Sequence, residues 1–197
     1  MQTDWQALAD DELALAFRDQ GRQEAFDELV RRHQGRVYAV AYRMTGNRED
    51  ALDVAQDSLV KAYQKIEKWQ PHGGFVPWLM RLTTNQAIDA LRRRKRQYTE
   101  SLDADDGYRL SSIEDENAAP ADRGARTNEI EARVQTALGV LSTSQRAIFV
   151  LRHYEGLKLN EIAESMGISV GSVKVHLFRA LKKMQVELKD LYEGPAE

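Results

Sequence analysis

Gly156 to Met184 reads GLKLNEIAESMGISVGSVKVHLFRALKKM, and this stretch decides the fold. Glu161, Ile162 and Ala163 open a short helix, with Ala163 small enough for close helix packing. Gly167 supplies the left-handed residue that reverses the chain, and Ile168 plugs the turn into a core. Ser169 is a good N-cap for a second helix. On that helix Val170, Val173, Leu177, Leu181 and Met184 recur at helical spacing and form a core face. Ser172, Val175, Phe178, Arg179 and Lys182 lie opposite, flanked by Lys174 and His176. Cations suit phosphate and guanine, a hydroxyl suits the DNA backbone, and apolar groups suit thymine methyls. Phe178 on the outward face is hard to explain by packing. An isolated amphipathic helix would carry its lysines merely for solvation. Here a short helix, a glycine turn and a cap stand in register, so the stretch is expected to be a DNA-reading helix-turn-helix. A lone exposed histidine such as His176 fits a plain surface residue or a phosphate contact better than a metal ligand.

Upstream of this reader, helical periodicity continues and the alternation of strands is absent. The spacing predicts helices over 11–20, 24–45, 48–68 and from about Pro77 to about Gln97, then over 128–140, 144–154, 160–166 and 169–190. Gly35 is expected to loosen the second of these. In the 48–68 helix a wheel puts Leu52, Ala55, Leu59, Ala62, Tyr63 and Ile66 on one face, with Asp50, Asp53, Asp57 and Lys61 opposite. Carboxylates at this spacing could share a cation, but no histidine stands near in sequence, and a solvated face or a docking face for a basic partner is the better reading. The expected fold class is therefore all-α. Two small helical domains, a bundle over 1–98 and a four-helix domain over 128–192, are joined by an acidic linker over 99–127.

A second reader is expected in the N-terminal half. Arg81, Asn85, Asp89, Arg92 and Arg96 fall within a stripe of about 80°, while Leu79, Leu82, Thr83, Ala87 and Ala90 face broadly the other way. Asn can pair with a base edge and Arg can anchor phosphate. The run Arg92-Arg93-Arg94-Lys95-Arg96 exceeds what the helix dipole asks of a C-terminus. Just before the helix, Trp69, His72, Gly73, Gly74 and Phe75 put flexible glycines beside aromatics, which are the materials for holding an unstacked base. Trp78 reads as core.

The formal net charge of −3 conceals this segregation. Positive charge gathers at 92–96 and on the last helices; negative charge gathers at 100–122, in Glu100, Asp103, Asp105, Asp106 and their successors. Fields act over roughly 8 Å at physiological salt, so each patch meets its own partner. The chain of 197 residues has no cysteine, which excludes thiolate metal sites and disulfides. Its four histidines are scattered, and no nucleophile elbow or phosphate loop appears, so no catalytic residue, metal or cofactor is expected. No apolar run approaches a membrane span and no signal peptide is visible, so the expected location is cytoplasmic, without membrane insertion. The tail 193–197 is expected to fray.

Three strings in order, FDELVRRHQGRVYAVAYRMTGNREDALDVAQDSLVKAY from Phe26, FVPWLMRLTTNQAIDALRRRKR from Phe75, and LSTSQRAIFVLRHYEGLKLNEIAESMGISVGSVKVHLFRALKKM from Leu141, resemble the extracytoplasmic-function (ECF) sigma factors of bacterial RNA polymerase. The resemblance covers about 20–98 and 128–188. It implies that Asp50, Asp53, Gln56 and Asp57 meet the β′ clamp helices of core RNA polymerase. It implies that Trp69, His72, Gly73, Phe75, Arg81, Asn85, Arg92, Arg93 and Arg96 serve a start-proximal (−10-type) promoter element. Ser172, Lys174, Val175, His176, Phe178, Arg179 and Lys182 would read the upstream (−35-type) element in promoter DNA. The polymerase β flap and an anti-sigma factor are further implied partners, and the acidic linker would thread toward the RNA exit path. Lys158 stands where the family often has a Ser or Thr cap, and Val175 where a hydroxyl is common; a thymine contact would replace the latter.

Overall fold

The computed structural model describes residues 3–102 and 125–189. Eight α-helices account for most of them, and no strand occurs among the described residues. α1 spans Asp10–Gln20, α2 Gln23–Thr45, α3 Arg48–Lys65, α4 Phe75–Leu102, α5 Ala125–Val140, α6 Thr143–His153, α7 Leu159–Met166 and α8 Val170–Glu187. Short 3-10 turns cover Trp5–Ala7 and Ile66–Lys68. The acidic stretch 103–124 and the tail 190–197 lie outside the described residues, so the linker's path and the fraying of the tail are not seen.

Local signals explain most boundaries. Gly21, Gly46 and Gly167 each follow a helix in the left-handed region, with φ of 64°, 73° and 64°, which spares a side chain the steric cost of that geometry. Asn47 caps α3 by accepting from the amide of Asp50 at 2.9 Å. Ser142 and Gln145 cap α6 reciprocally. Gly35 does not loosen α2, which is unbroken through it; the glycine is exposed and the turns on either side carry the helix past it. α4 extends to Leu102, beyond the expected end near Gln97. Residues 97–102 contain neither Gly nor Pro, and adding residues to an existing helix is far easier than starting one.

α1 to α4 surround a core that includes Leu13, Phe17, Phe26, Leu29, Val37, Val40, Met44, Leu79 and Met80. α3 buries Ala51, Val54, Ala55, Ser58 and Ala62. Of the face expected from the wheel, Ala55, Ala62 and Ile66 are buried and Leu59 packs on the core, whereas Leu52 is 51% exposed and Tyr63 45% exposed. The helix lies between α2 and α4, and small residues let both neighbours approach closely. Tyr63 stays at the rim, its ring 5.0 Å from Phe17 and 5.2 Å from Phe26.

α5 to α8 form the second unit, with Ala137, Leu138, Leu141, Phe149, Ala180, Met184 and Leu188 as a small core. The two units pack together: Ala147, Ile148, Val150 and Leu151 of α6 join the first core. Polar contacts line the seam. Arg146 donates to the carbonyl of Met44 at 2.6 Å and to that of Gly139 at 3.0 Å. Both carbonyls belong to the last turns of helices, which lack intrahelical partners and carry the negative end of the dipole. Burial lowers the Arg146 pKa from its ordinary value, yet a guanidinium keeps its charge in proteins. Arg36 meets Glu155 at 2.7 Å, Gln135 donates to the carbonyl of Tyr42 at 3.1 Å, and the Arg43 guanidinium sits 4.0 Å from the Tyr154 ring centre.

The N-terminal segment is clasped by one arginine. Arg32 donates to the carbonyls of Trp5, Gln6 and Leu8 and to Asp10 and Glu28. Glu28 also accepts two hydrogen bonds of 2.7 Å from Arg31. These guanidiniums, Arg31 first, hold the Glu28 carboxyl down to about 2 from an ordinary 4.5. A carboxylate whose folded value lies below its unfolded one adds stability above the unfolded value and loses it as pH falls toward the folded one. Glu28→Gln is therefore expected to lower Tm at neutral pH. The gap to the parent should close as pH drops from about 4.5 toward about 2; a gap independent of pH across thermal melts would reject the role.

Candidate nucleic-acid and polymerase interfaces

Ser169 caps α8 by accepting from the amide of Ser172 at 3.1 Å, and the two hydroxyls are 2.9 Å apart. α7 has no side-chain cap at Lys158; instead Glu161 reaches back to accept from the Lys158 amide at 2.7 Å. The carboxylate, one turn in, supplies the half of a capping box that satisfies the Lys158 amide, a different donor from the one a Ser or Thr hydroxyl would take. The amide of Ile168 bonds the carbonyl of Ala163 at 3.0 Å, closing the turn between α7 and α8.

On α8, Val173, Ala180 and Met184 are buried. Val170 and Leu181, expected in the core, are 38% and 43% exposed. The physical reason is the modest size of this unit: α8 rests on α5, α6 and α7 along a narrow line, and residues at the edges of the apolar stripe remain open. Phe178 is 69% exposed and Val175 49% exposed. Lys174, Arg179 and Lys182 are exposed beside them, while Ser172 and His176 are half-buried. An aromatic ring, an isopropyl group and three cations thus share one open helix face, which can meet phosphate and base edges together.

The loop before α4 departs from expectation. Trp69 and Phe75 are each 1% exposed, and their rings pack edge to face with centres 6.0 Å apart. Neither offers a face to a base: both aromatics stand at the loop's ends, where the chain re-enters the core. Only Gln70, Pro71, His72 and Gly73 stand exposed between them. Along α4, Asn85, Asp89 and Arg92 to Arg96 are exposed, whereas Thr83, Thr84, Ala87 and Ile88 are buried. Arg81 is half-buried, 3.9 Å from Glu164 of α7 across the seam. Arg94 pairs with Asp50 at 2.6 Å. Asp53, Gln56 and Asp57 line the open face of α3, and Lys61 of that helix bonds Gln86. No cluster of three or more His, Asp or Glu side chains suited to a metal occurs among the described residues.

This is a two-unit helical DNA-binding architecture. Sigma-70 region 2 matches residues 29–97, and a Sigma-70 region 4 family matches residues 131–184. The ECF RNA polymerase sigma factor SigE of Mycolicibacterium smegmatis is 35% identical over 187 residues, covering 93% of this chain and 70% of that protein. SigW of Bacillus subtilis is 32% identical over 176 residues, 87% of this chain and 92% of that protein. Among solved structures, CnrH in complex with the cytosolic domain of CnrY aligns with a TM-score of 0.62 at 31% identity, covering 91% of this chain and 97% of that one. The sigma factor RpoE of Bartonella quintana, solved with the anti-sigma factor NepR, aligns with a TM-score of 0.67 at 24% identity over 83% of this chain and 96% of that one, a likeness of fold. The chain belongs to the ECF family of RNA polymerase sigma factors. It acts in promoter-specific initiation of transcription with RNA polymerase. None of its described helices is long and apolar enough to cross a membrane.

Proposed function

We propose a division of labour within this sigma factor. Residues 1–98 dock on the β′ clamp helices through Asp50, Asp53, Gln56 and Asp57 and engage the start-proximal element. That element is met by His72 and Gly73 in the loop and by Asn85, Arg92, Arg93 and Arg96 on α4, with Arg81 added when it leaves Glu164. Trp69 and Phe75 hold the loop's ends rather than touching bases. Residues 128–192 read the upstream element as duplex through Ser172, Lys174, Val175, His176, Phe178, Arg179 and Lys182, and meet the β flap. The segment 99–127, helical at its two ends, tethers the units. The protein works without catalytic groups of its own, in the cytoplasm, and is held inactive by an anti-sigma factor; the similar RpoE of Bartonella quintana was solved bound to the anti-sigma factor NepR.

The observation that carries this reading is the open face of α8. Phe178 at 69% exposure beside Arg179 and Lys182 has no packing purpose and has the chemistry of a groove contact. The test is in vitro transcription from a genomic library with core polymerase. The expected result is a discrete set of start sites, each preceded by two shared elements. Random initiation, or a set lacking an upstream element, would overturn the reading.

A further inference from the structure

The loop between Trp69 and Phe75 is held at both ends by α1, a helix that precedes the residues matched to region 2. At one end, the Arg18 guanidinium donates to the carbonyl of Trp69 at 3.1 Å, and its centre lies 5.7 Å from the Trp69 ring. At the other, the amide of Phe75 donates to Asp11 Oδ1 at 2.7 Å. Phe75 is the first residue of α4, and the residue before it is Gly74, with φ of 77° and no side chain to cap the helix. A side chain there would meet Pro77 at 3.3 Å and adopt a disfavoured backbone geometry. Gly74 supplies no cap of its own, and Asp11 brings one from another helix, placing a carboxylate at the positive end of α4.

α1 is itself anchored. Leu13, Ala14 and Phe17 are buried in the first core. Asp11 and Arg18 therefore stand two turns apart on a fixed rod and set the separation of the loop's ends. Between them Pro71 and Gly74 close a turn, the Gly74 amide donating to the Pro71 carbonyl at 3.1 Å. The exposed tip carrying His72 and Gly73 is thus a short segment tied at both ends, which narrows the conformations open to it. A recognition tip held to within a fraction of an ångström discriminates among bases, and a loose one binds without discriminating.

We infer that Asp11 and Arg18 are positioning residues for start-proximal promoter recognition, acting through the loop without touching DNA. The inference rests on the proposal that this loop meets the start-proximal element, and the test separates the two. Holoenzyme is assembled from core polymerase and the parent, Asp11→Ala, Asp11→Asn, Arg18→Ala or His72→Ala chain. Each is titrated with fork-junction promoter DNA, cognate or carrying single-base changes in the start-proximal element. Upstream-duplex binding and core affinity are measured alongside.

Asp11→Ala is expected to reduce the cognate-to-substituted ratio by about tenfold, the scale of a lost cap, with core affinity and upstream binding unchanged. Asp11→Asn should restore most of the ratio, because its amide oxygen still accepts from Phe75; a general loss of stability would not follow that pattern. Arg18→Ala should move the ratio in the same direction, and it decides the matter should Asp11→Ala fail to fold. If His72→Ala lowers the ratio while the Asp11 and Arg18 variants match the parent, the inference is wrong and the loop reading stands. If none of them changes it, the loop reading falls and the inference with it.

Discussion

Reversing Asp53 and Asp57 to lysine together is expected to weaken association with core polymerase by at least about a hundredfold, while the fold survives. Both side chains are exposed on α3. The buried side of that helix is formed by Ala51, Val54, Ala55, Ser58 and Ala62, none of which the change touches. Complementary charge across an interface steers encounter and excludes wrong partners, and placing like charges opposite one another costs several kcal/mol. The reversal should therefore show as a slower association rate as well as a weaker complex, with a reduced salt dependence. Glu67→Lys makes half that charge change, equal to either single reversal, on an exposed residue just after α3 and is expected to leave core binding near that of the parent. Asp50 is the more complicated member of the set. It is paired with Arg94, so its removal frees a cation of the basic run at the same time as it removes an acid. Surface pairs of this kind contribute little to stability. Native gel assembly with core polymerase, read beside circular dichroism, decides the matter. Lost helicity with lost binding would make the α3 acids structural.

How much of this was legible in the sequence depended on whether a signal was local. The turn at Gly167, the cap at Ser169 and the open face of α8 all follow from residues within two dozen positions, at helical spacing, and the string at 156–184 contains them all. The all-helical class was equally plain, because it needs only periodicity. The misreadings arose where the answer lay with another helix. Leu52 and Tyr63 looked like core on the wheel of α3, since large apolar residues dominate such a wheel. The packed side keeps Ala55, Ala62 and Ile66 of that face but turns toward Ala51, Val54 and Ser58, where α2 and α4 come close. Trp69 and Phe75 looked like base-stacking groups because they flank glycines, and only the three-dimensional core shows that their rings point inward. Asp11 and Arg18 carried no visible sign at all. A carboxylate that caps a helix 64 residues away has no sequence spacing to betray it. A glycine followed by a helix start with no Ser, Thr, Asp or Asn before it, as at Gly74-Phe75, was the one available hint that a cap was missing. The seam between the units was invisible for the same reason: Arg146 meets a carbonyl 102 residues away.

Arg179→Ala is expected to weaken binding to the upstream element by about 1–3 kcal/mol, or from about fivefold to more than a hundredfold. Arg179 stands exposed on α8 one residue beyond Phe178, so its loss leaves the core residues Val173, Ala180 and Met184 in place. The size of the loss alone would not show what the side chain reads. Losing a phosphate contact weakens binding to every sequence alike and reduces the slope of affinity against salt, whereas losing a base contact relaxes preference at one position. Titration of cognate duplex and of duplexes changed at single positions, at two salt concentrations, separates them. If Arg179 meets a base, its alanine variant should bind the cognate and one class of altered duplex equally, with the salt slope scarcely changed. Lys182→Ala, one turn further along the same face, should instead lower affinity for all duplexes and reduce the salt slope by about one. Phe178→Ala adds a third pattern. A ring against thymine methyls carries no charge, so its loss should be independent of salt and felt only where thymine is present. Equal binding by all three variants and the parent would mean that the open face of α8 is not the surface that meets the upstream duplex.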